Sequence, residues 1–353
     1  MEYAKIEAKY LCGVDLHDKS HVAVIYDRTG KLLFLKKIKN NFDEFKEATR
    51  QYKNEMAVGV ESTHNYYWLF DGCQNENIPF FLGHALYMKA IRGKKKKDDE
   101  IDAKTISHLM RTNFFPKAYP YPKEKRATRD LLRRRIKFVS IRAGLYSHLF
   151  LLFSQQGQAT LTLSDLKNKM TRRELLKVFN DESLVASILS DLNTIDHYDK
   201  TINSMEKLII QKAKQHSMEE FQLLKTFPGI GDILSLTILY EIDTYERFPS
   251  VQKFSSYSRV VRCQRESSGK RTDNLNQKVG NPYLKWAFSE AAVFSQKSEA
   301  IASLYKKLVC KYGKSRAYSV LSHKIASAVY TMLQKKESYN EEKFVRIKRS
   351  IKA

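Results

Sequence analysis

Cysteine is scarce in this 353-residue chain, and the four present, Cys12, Cys73, Cys263 and Cys310, are scattered without a C-x-x-C pair. That spacing argues against a structural zinc site or a secreted disulfide framework and fits a reducing, cytoplasmic setting. No uninterrupted apolar run approaches the ~18 residues that a membrane span needs. The longest stretch, around Leu145–Phe153, is broken by Ser147 and His148. The opening MEYAKIEAKYLCGVDL carries Glu2 and Glu7 and has no signal-peptide apolar core. The nine histidines include no H-E-x-x-H and no His/Cys zinc spacing. Membrane and secretory functions are therefore not expected, and no repeat of fixed period is found.

Acid is also in short supply. There are 39 Asp+Glu against 62 Lys+Arg, a formal net charge of +23. With 42% hydrophobic and 12% aromatic residues the chain is no disordered polybasic tail. An excess of this size repels itself and makes most sense beside a polyanion. A merely basic soluble protein is the plain alternative. The length allows about two domains of ~150 residues with real cores.

Hydrophobic periodicity divides the chain. Residues 1–115 read as α/β. Tyr10–Leu16, Val22–Tyr26 and Leu32–Ile38 form a three-strand meander with a tight turn at Arg28–Gly30. Asn41–Tyr52 has helical spacing, Ala57–Val60 is a short buried strand, and Tyr67–Cys73 begins a helix. Ile78–Leu82 is a fifth strand and Asp99–Met110 a helix. Pro116, Pro120 and Pro122 mark a linker, so residues 116–221 read as a helical connector. Residues 222–353 read as a second, mainly helical region that ends in the basic tail Lys343–Lys352.

Within the connector, ten Lys/Arg between Lys117 and Arg142 face only two acids, and Arg133, Arg134 and Arg135 stand in a row. A helix that tracks a nucleic-acid backbone and a solvated charged face are both open readings. Ile195, Tyr198, Ile202, Met205 and Ile209 step by three and four, a short heptad seam. The pattern leans slightly toward a dimer-forming coiled coil over an internal hairpin.

In so basic a chain, carboxylates at strand ends and helix starts need a reason. Asp15 closes the strand of Cys12-Gly13-Val14-Asp15, and Glu61 closes that of Val58-Gly59-Val60-Glu61. Asp99 and Asp102 are three residues apart, on one helix face. If these converge, each close pair repels by about 4 kcal/mol at an effective dielectric of ~20. Such a cluster calls for a divalent ion with a taste for hard oxygen ligands, magnesium or manganese. Two ions ~4 Å apart would suit phosphoryl transfer. Singly, each carboxylate is as well explained as a turn residue or cap, and Asp98, Asp99 and Glu100 could simply cap a helix. His17 and His64, two and three residues beyond Asp15 and Glu61, could line the site or serve packing. Tyr66, Tyr67 and Trp68 could stack on bases, with core packing the stronger alternative.

Three segments carry a resemblance: Gly13-Val14-Asp15-Leu16-His17, Val60-Glu61-Ser62-Thr63 and Lys97-Asp98-Asp99-Glu100-Ile101-Asp102-Ala103. Together they are similar to the DEDD insertion-sequence transposases of the IS-one-ten type, relatives of the Piv DNA invertases. Asp98 replaces a usual Thr or Asn, which leaves the register between Asp98 and Asp99 open, although the Asp99–Asp102 spacing and Ala103 favour Asp99. The resemblance implies a RuvC-like, ribonuclease-H-type fold, with Asp15, Glu61, Asp99 and Asp102 binding two metal ions.

The second region offers Thr226-Phe227-Pro228-Gly229-Ile230-Gly231-Asp232 between apolar helical stretches. Gly229 and Gly231 look like a helix-hairpin-helix turn able to grip phosphates, with a purely structural hairpin as the alternative. Farther on stand Arg265-Glu266-Ser267-Ser268-Gly269-Lys270-Arg271 and Lys278-Val279-Gly280-Asn281. Alone this reads as a solvated loop. The order Pro-Gly-Ile-Gly, Phe248-Pro249-Ser250, Ser268-Gly269 and Lys-x-Gly-Asn resembles the C-terminal transposase domain of the same family. The resemblance implies that Ser268, with Ser267 the near-miss, is a nucleophile that joins covalently to DNA. Arg265, Lys270, Arg271 and Lys278 would neutralise phosphate. Arg259 and Arg262 stand where Gly and Pro are usual, and Lys270 replaces a second Gly, which puts the loop's shape in question.

The expectation is a DNA transposase or site-specific recombinase with Mg2+ or Mn2+ as cofactor and donor and target DNA as substrates. The resemblance further implies a non-coding bridge RNA as guide, with base pairing choosing the sequence. A homodimer, and a tetramer in synapsis, would follow. A RuvC-like nuclease or junction resolvase using water, and a non-catalytic nucleic-acid binder, are the alternatives.

Overall fold

The computed structural model describes residues 3–92, 98–158, 161–213, 218–261, 264–267, 270–273 and 279–346. The chain divides into two compact units, Met1–Lys123 and Glu124–Ala353.

The first unit is built on a mixed sheet of β1 (Tyr10–Leu16), β2 (Ser20–Asp27), β3 (Leu32–Lys39), β4 (Met56–Glu61) and β5 (Phe80–Gly83). The helices are α1 (Phe42–Thr49), α2 (Tyr67–Asn75), α3 (Ala85–Arg92) and α4 (Asp99–Arg111). The strand order is β3-β2-β1-β4-β5. The meander β1–β2–β3 is antiparallel, whereas β4 and β5 add parallel to β1 and to each other. Crossovers through α1 and α2 supply the parallel steps, as parallel pairing requires.

Alternation sorts the strand residues onto two faces. Cys12, Val14, Leu16, Ala23, Ile25, Val58 and Val60 pack with Phe45, Leu69 and Cys73 of α1 and α2. Tyr66 and Phe70 belong to this core, and Tyr67 and Trp68 pack against it, which accounts for the aromatic run without base stacking. Leu11 and Ala57 point the other way, onto Ile106, Leu109 and Met110 of α4. Two glycines let α4 lie against the strands. A Cβ on Gly13 would stand 2.3 Å from the Ala103 carbonyl oxygen and 2.5 Å from the Ser107 nitrogen. Ser107 donates its hydroxyl proton to the Leu11 carbonyl at 2.6 Å, tying helix to strand.

The segment that begins at Pro116 adds to the sheet edge before the chain reaches Pro120 and Pro122. Ala118 donates its N–H to the Leu82 carbonyl at 2.7 Å, and Gly83 bridges to Lys117. The prolines withhold donors but leave neighbouring amides free to pair.

Among the described residues, the second unit is helical apart from one hairpin. It comprises α5 (Lys123–Gln155), α6 (Leu163–Lys167), α7 (Lys169–Leu176), α8 (Glu182–Ala213), α9 (Met218–Lys225), α10 (Asp232–Ile242) and α11 (Val251–Tyr257). The hairpin of β6 (Gln264–Ser267) and β7 (Lys270–Asp273) follows, then α12 (Pro282–Phe294), α13 (Glu299–Tyr312), α14 (Lys314–Lys335) and α15 (Glu341–Val345).

The heptad seam is internal. Ile195, Ile202 and Ile209 are buried within the chain, and α8 lies antiparallel to α5 through Arg135–Glu206, Arg142–Asp199 and His148–Asp191. The lean toward a dimer-forming seam is thus corrected. The apolar seam finds its partner on α5: Ile195 packs with Tyr146, Leu149 and Phe153, Tyr198 meets Phe138, and Ile209 shares a core with Leu132. α5 is long and apolar enough to cross a membrane by composition, but it is tied to α8 by these ion pairs and contributes to a core.

Candidate active site

The α4 packing decides where the acids go. Val14 pairs with Val60 in the parallel β1–β4 ladder, so Asp15 and Glu61 are lateral neighbours at the C-terminal ends of adjacent strands. Both fall on the alternation that faces α4. α4 begins beside those strand ends, and its first turn carries Asp99, Glu100 and Asp102, a placement that suits the helix dipole.

His17, just past the end of β1, bridges the two elements. Its Nε2 lies 3.1 Å from Asp15 Oδ2 and 3.1 Å from Asp99 Oδ1. Donor atoms of Asp15, His17 and Asp99 all fall within 4.8 Å of one another. Neither approach has hydrogen-bond geometry, so Nε2 is shielded from solvent without a hydrogen-bond partner. Two carboxylate oxygens and an imidazole nitrogen directed at one point fit a divalent cation, and the three residues could hold one. Glu61 and Asp102 are not among the donors of this group.

Asp98 and Asp99 have different tasks. Asp98 is the N-cap of α4 and accepts from the Glu100 N–H at 3.0 Å, while Asp99 reaches His17. His64 has moved away from the group, its Nε2 lying 3.5 Å from Asp18 at an exposed position.

The backbone of His17 is pinned from three sides. Its N–H donates to the Ser20 carbonyl at 3.0 Å, and its carbonyl accepts from Asn40 Nδ2 and Asn65 Nδ2, each at 2.7 Å. Asn65 in turn accepts from the Thr63 hydroxyl at 2.9 Å. Asn40 Oδ1 lies 3.1 Å from Nδ1 of the fully buried His21, which sits between the rings of Phe45 and Trp68. Because the Asn40 amide nitrogen is donating, its oxygen accepts, and this network assigns the His21 proton to Nδ1. Burial lowers the His21 pKa below its ordinary value, consistent with a neutral ring. Sequence reasoning missed Asn40 and Asn65; an Asn four residues past Glu61 was the only available signal.

Cysteine chemistry is not offered here. Burial pushes the Cys73 thiol up to about 12, and Cys12 is raised by burial too.

In the second unit the expected phosphate contacts are redistributed. Arg133 gives a two-pronged bond to Glu241 at 2.6 and 2.8 Å and lies over the Tyr283 ring. Arg135 is held by Glu206 at 2.6 and 2.9 Å. Both forks are engaged by carboxylates within the chain, and of the three only Arg134 is exposed, over Phe138. A helix beneath so many charges needed carboxylates, and Glu241 and Glu206, each more than 70 residues away in sequence, supply them.

Gly229 takes φ +89°, and a Cβ there would stand 2.4 Å from the Ser295 nitrogen, so close packing alone requires a glycine at this turn. Gly231 is the N-cap of α10, whose first residue, Asp232, pairs with Lys225 at 2.6 Å. A carboxylate already occupies that helix start.

Ser268 and Lys278 lie outside the described residues; Arg265, Lys270 and Arg271 are described only as strand residues of the β6–β7 hairpin. The residues flanking the hairpin are tied to the helices. Asn281 donates its N–H to the Tyr257 carbonyl at 2.6 Å, caps α12 with its side-chain oxygen, and donates Nδ2 to Glu241 at 2.7 Å. Gly280 adopts φ +93°, and a Cβ would lie 2.5 Å from the Tyr257 oxygen. Arg259 adopts φ +55° and donates Nε to the Val279 carbonyl at 2.9 Å. It thus holds the left-handed turn that a Gly would adopt without strain. Glu241 joins Arg133 and Asn281, so the helical hairpin and the foot of the serine arm share one buried carboxylate.

Residues 12–149 match the family model of the IS110-type DEDD transposases, and residues 221–306 match the model described as Transposase IS116/IS110/IS902 family. The chain is 22% identical over 340 residues to the transposase for insertion sequence element IS1111A of Coxiella burnetii, covering 93% of this chain and 91% of that one. It is also 22% identical over 349 residues to a Streptomyces coelicolor protein named "Mini-circle putative transposase for IS117", with 79% and 83% covered. The chain belongs to the IS110 (IS-one-ten) family of insertion-sequence transposases, DNA-processing enzymes.

Proposed function

We propose that this transposase cleaves and rejoins DNA by phosphoryl transfer at a site formed by Asp15, Glu61, Asp99 and Asp102, with Ser268 as the attacking nucleophile. The observation that carries the reading is the meeting of Asp15 and Asp99 around His17 at the C-terminal ends of β1 and β4. The strand order β3-β2-β1-β4-β5, with an antiparallel meander continued by two parallel strands, supports a RuvC-like, ribonuclease-H-type unit. Divalent ions, Mg2+ or Mn2+ and two in number, would activate the attacking oxygen and neutralise charge on the leaving one.

In the covalent step the Ser268 hydroxyl gives up its proton, a bond forms between its oxygen and phosphorus, and the bond from phosphorus to one deoxyribose oxygen breaks. The released oxygen takes up a proton. Rejoining reverses this: an incoming deoxyribose hydroxyl attacks the same phosphorus and frees Ser268, so no external energy source is needed. Arg265, Lys270 and Arg271, within three residues of Ser268 in sequence, would neutralise charge on the phosphate. A bridge RNA as guide, and a dimer or tetramer as the working assembly, belong to the same reading. They would give the +23 charge two kinds of backbone to contact.

The test is cleavage of cognate donor DNA by point variants. Asp15→Asn and Asp99→Asn should abolish cleavage, while Asp98→Asn should retain it apart from a small loss of helix stability. Equal activity in all three would contradict the assignment.

A further inference from the structure

We propose that His17 is a direct ligand of one divalent ion together with Asp15 and Asp99, and that this nitrogen–oxygen set favours Mn2+ over Mg2+. The inference rests on the carboxylate site being a metal site, and goes beyond it by adding a nitrogen donor.

Three observations support it. First, the His17 Nε2 is 3.1 Å from both Asp15 Oδ2 and Asp99 Oδ1. Adjacent ligands on an octahedral ion with bonds of about 2.0–2.2 Å stand about 2.9–3.1 Å apart. The imidazole nitrogen therefore sits where a neighbouring corner of the same coordination shell would be. Second, Nε2 makes no hydrogen bond to either oxygen and is shielded from solvent. A cation between the three atoms would give this nitrogen the partner it lacks. Third, the backbone that carries the ring is held in place: Asn40 and Asn65 donate to the His17 carbonyl, and the His17 N–H donates to Ser20. Outer contacts around a metal site limit how far its ligands can shift.

The choice of ion follows from the donor. Mg2+ takes oxygen ligands and sheds water reluctantly. Imidazole is a softer donor that first-row transition ions accept, and Mn2+ is the one that also suits carboxylates.

The test uses the full-length protein and Mn2+ as probe. Pulsed EPR of bound Mn2+ reports nitrogen directly coordinated to it, and competition with Mg2+ gives the ratio of affinities. Wild type should show nitrogen coupling. His17→Ala and His17→Gln, checked for native circular dichroism, should lose it, with the Mn2+/Mg2+ ratio falling about tenfold. Asp15→Asn should lose the bound ion. Bound Mn2+ without nitrogen coupling in wild type, or a ratio unchanged in both His17 variants, overturns the nitrogen ligand and leaves the carboxylate site standing. Mn2+ binding indifferent to Asp15→Asn overturns the site and this proposal with it.

Discussion

Asn65 donates its side-chain N–H to the carbonyl oxygen of His17 at 2.7 Å, joining the segment after β4 to the end of β1 across 48 residues of sequence. The bond sets the position of His17 relative to Glu61, because Asn65 and Glu61 ride on the same short segment. Replacing Asn65 with Ala should cost about 1 kcal/mol of stability. The effect on strand cleavage should be larger, at about tenfold, because a small displacement of a positioned group is costly in the transition state. Asn40→Ala should act similarly, and the double variant should be less than additive on cleavage if both amides serve one carbonyl. Cleavage rates and denaturant midpoints of the four proteins measure this.

Gly13 should tolerate no side chain. In Gly13→Ala the new Cβ meets backbone of α4 at 2.3 and 2.5 Å, and backbone cannot swing aside as a side chain can. Destabilisation of about 1–3 kcal/mol is expected from overpacking. Any folded fraction should cleave poorly, since pushing α4 outward separates Asp99 from Asp15. A thermal melt alongside a cleavage assay separates the two effects.

The buried His21 predicts a direction for pH dependence. Burial lowers its folded-state pKa below the ordinary 6.5. Above pH 6.5 the ring is neutral in both folded and unfolded chains, and its contribution is fully present. As pH falls below 6.5 the unfolded chain takes up a proton that the folded one refuses, so stability declines until the folded pKa is reached. His84 and His108 are also lowered by burial and act with the same sign. The denaturation midpoint should drop between about pH 7 and 5, and His21→Asn should make that slope shallower.

Arg133 and Arg134 are neighbours with opposite expected behaviour. Arg133→Ala leaves Glu241 buried without its cation, with only the Asn281 amide still donating to it, a loss of about 3–5 kcal/mol. Arg134→Ala removes an exposed cation and should stay within about 0.5 kcal/mol of wild type. Its effect should instead be on nucleic-acid binding, with a reduced salt slope. Chemical denaturation and salt-dependent binding distinguish the two.

Much of the first unit was legible because its signals are local. The β1–β3 meander, the β4 strand and the α4 helix follow from alternation and 3.6-residue spacing within 15 residues. Asp15 and Asp99 stood out as acids at element ends. What spacing could not supply was which residue lay across from which. The roles of Asn40, Asn65 and His17 depend on chain segments brought together by the strand order. In the second unit the Arg133–Glu241 and Arg135–Glu206 pairs span 108 and 71 residues. Part of a positive stripe in sequence is thus spent on ion pairs within the chain. The heptad seam was correctly apolar but silent about its partner, and Gly229 was conspicuous for its turn geometry while serving packing.

The proposed function turns on Ser268 as the attacking nucleophile at the acidic site. Its most direct test is to trap the protein–DNA adduct on cognate donor DNA with a divalent metal and resolve it under denaturing conditions. Wild type should form the adduct, and Ser268→Ala, Asp15→Asn and Asp99→Asn should each abolish it. Strand cleavage that persists in Ser268→Ala without an adduct would contradict the account and assign the attack to water.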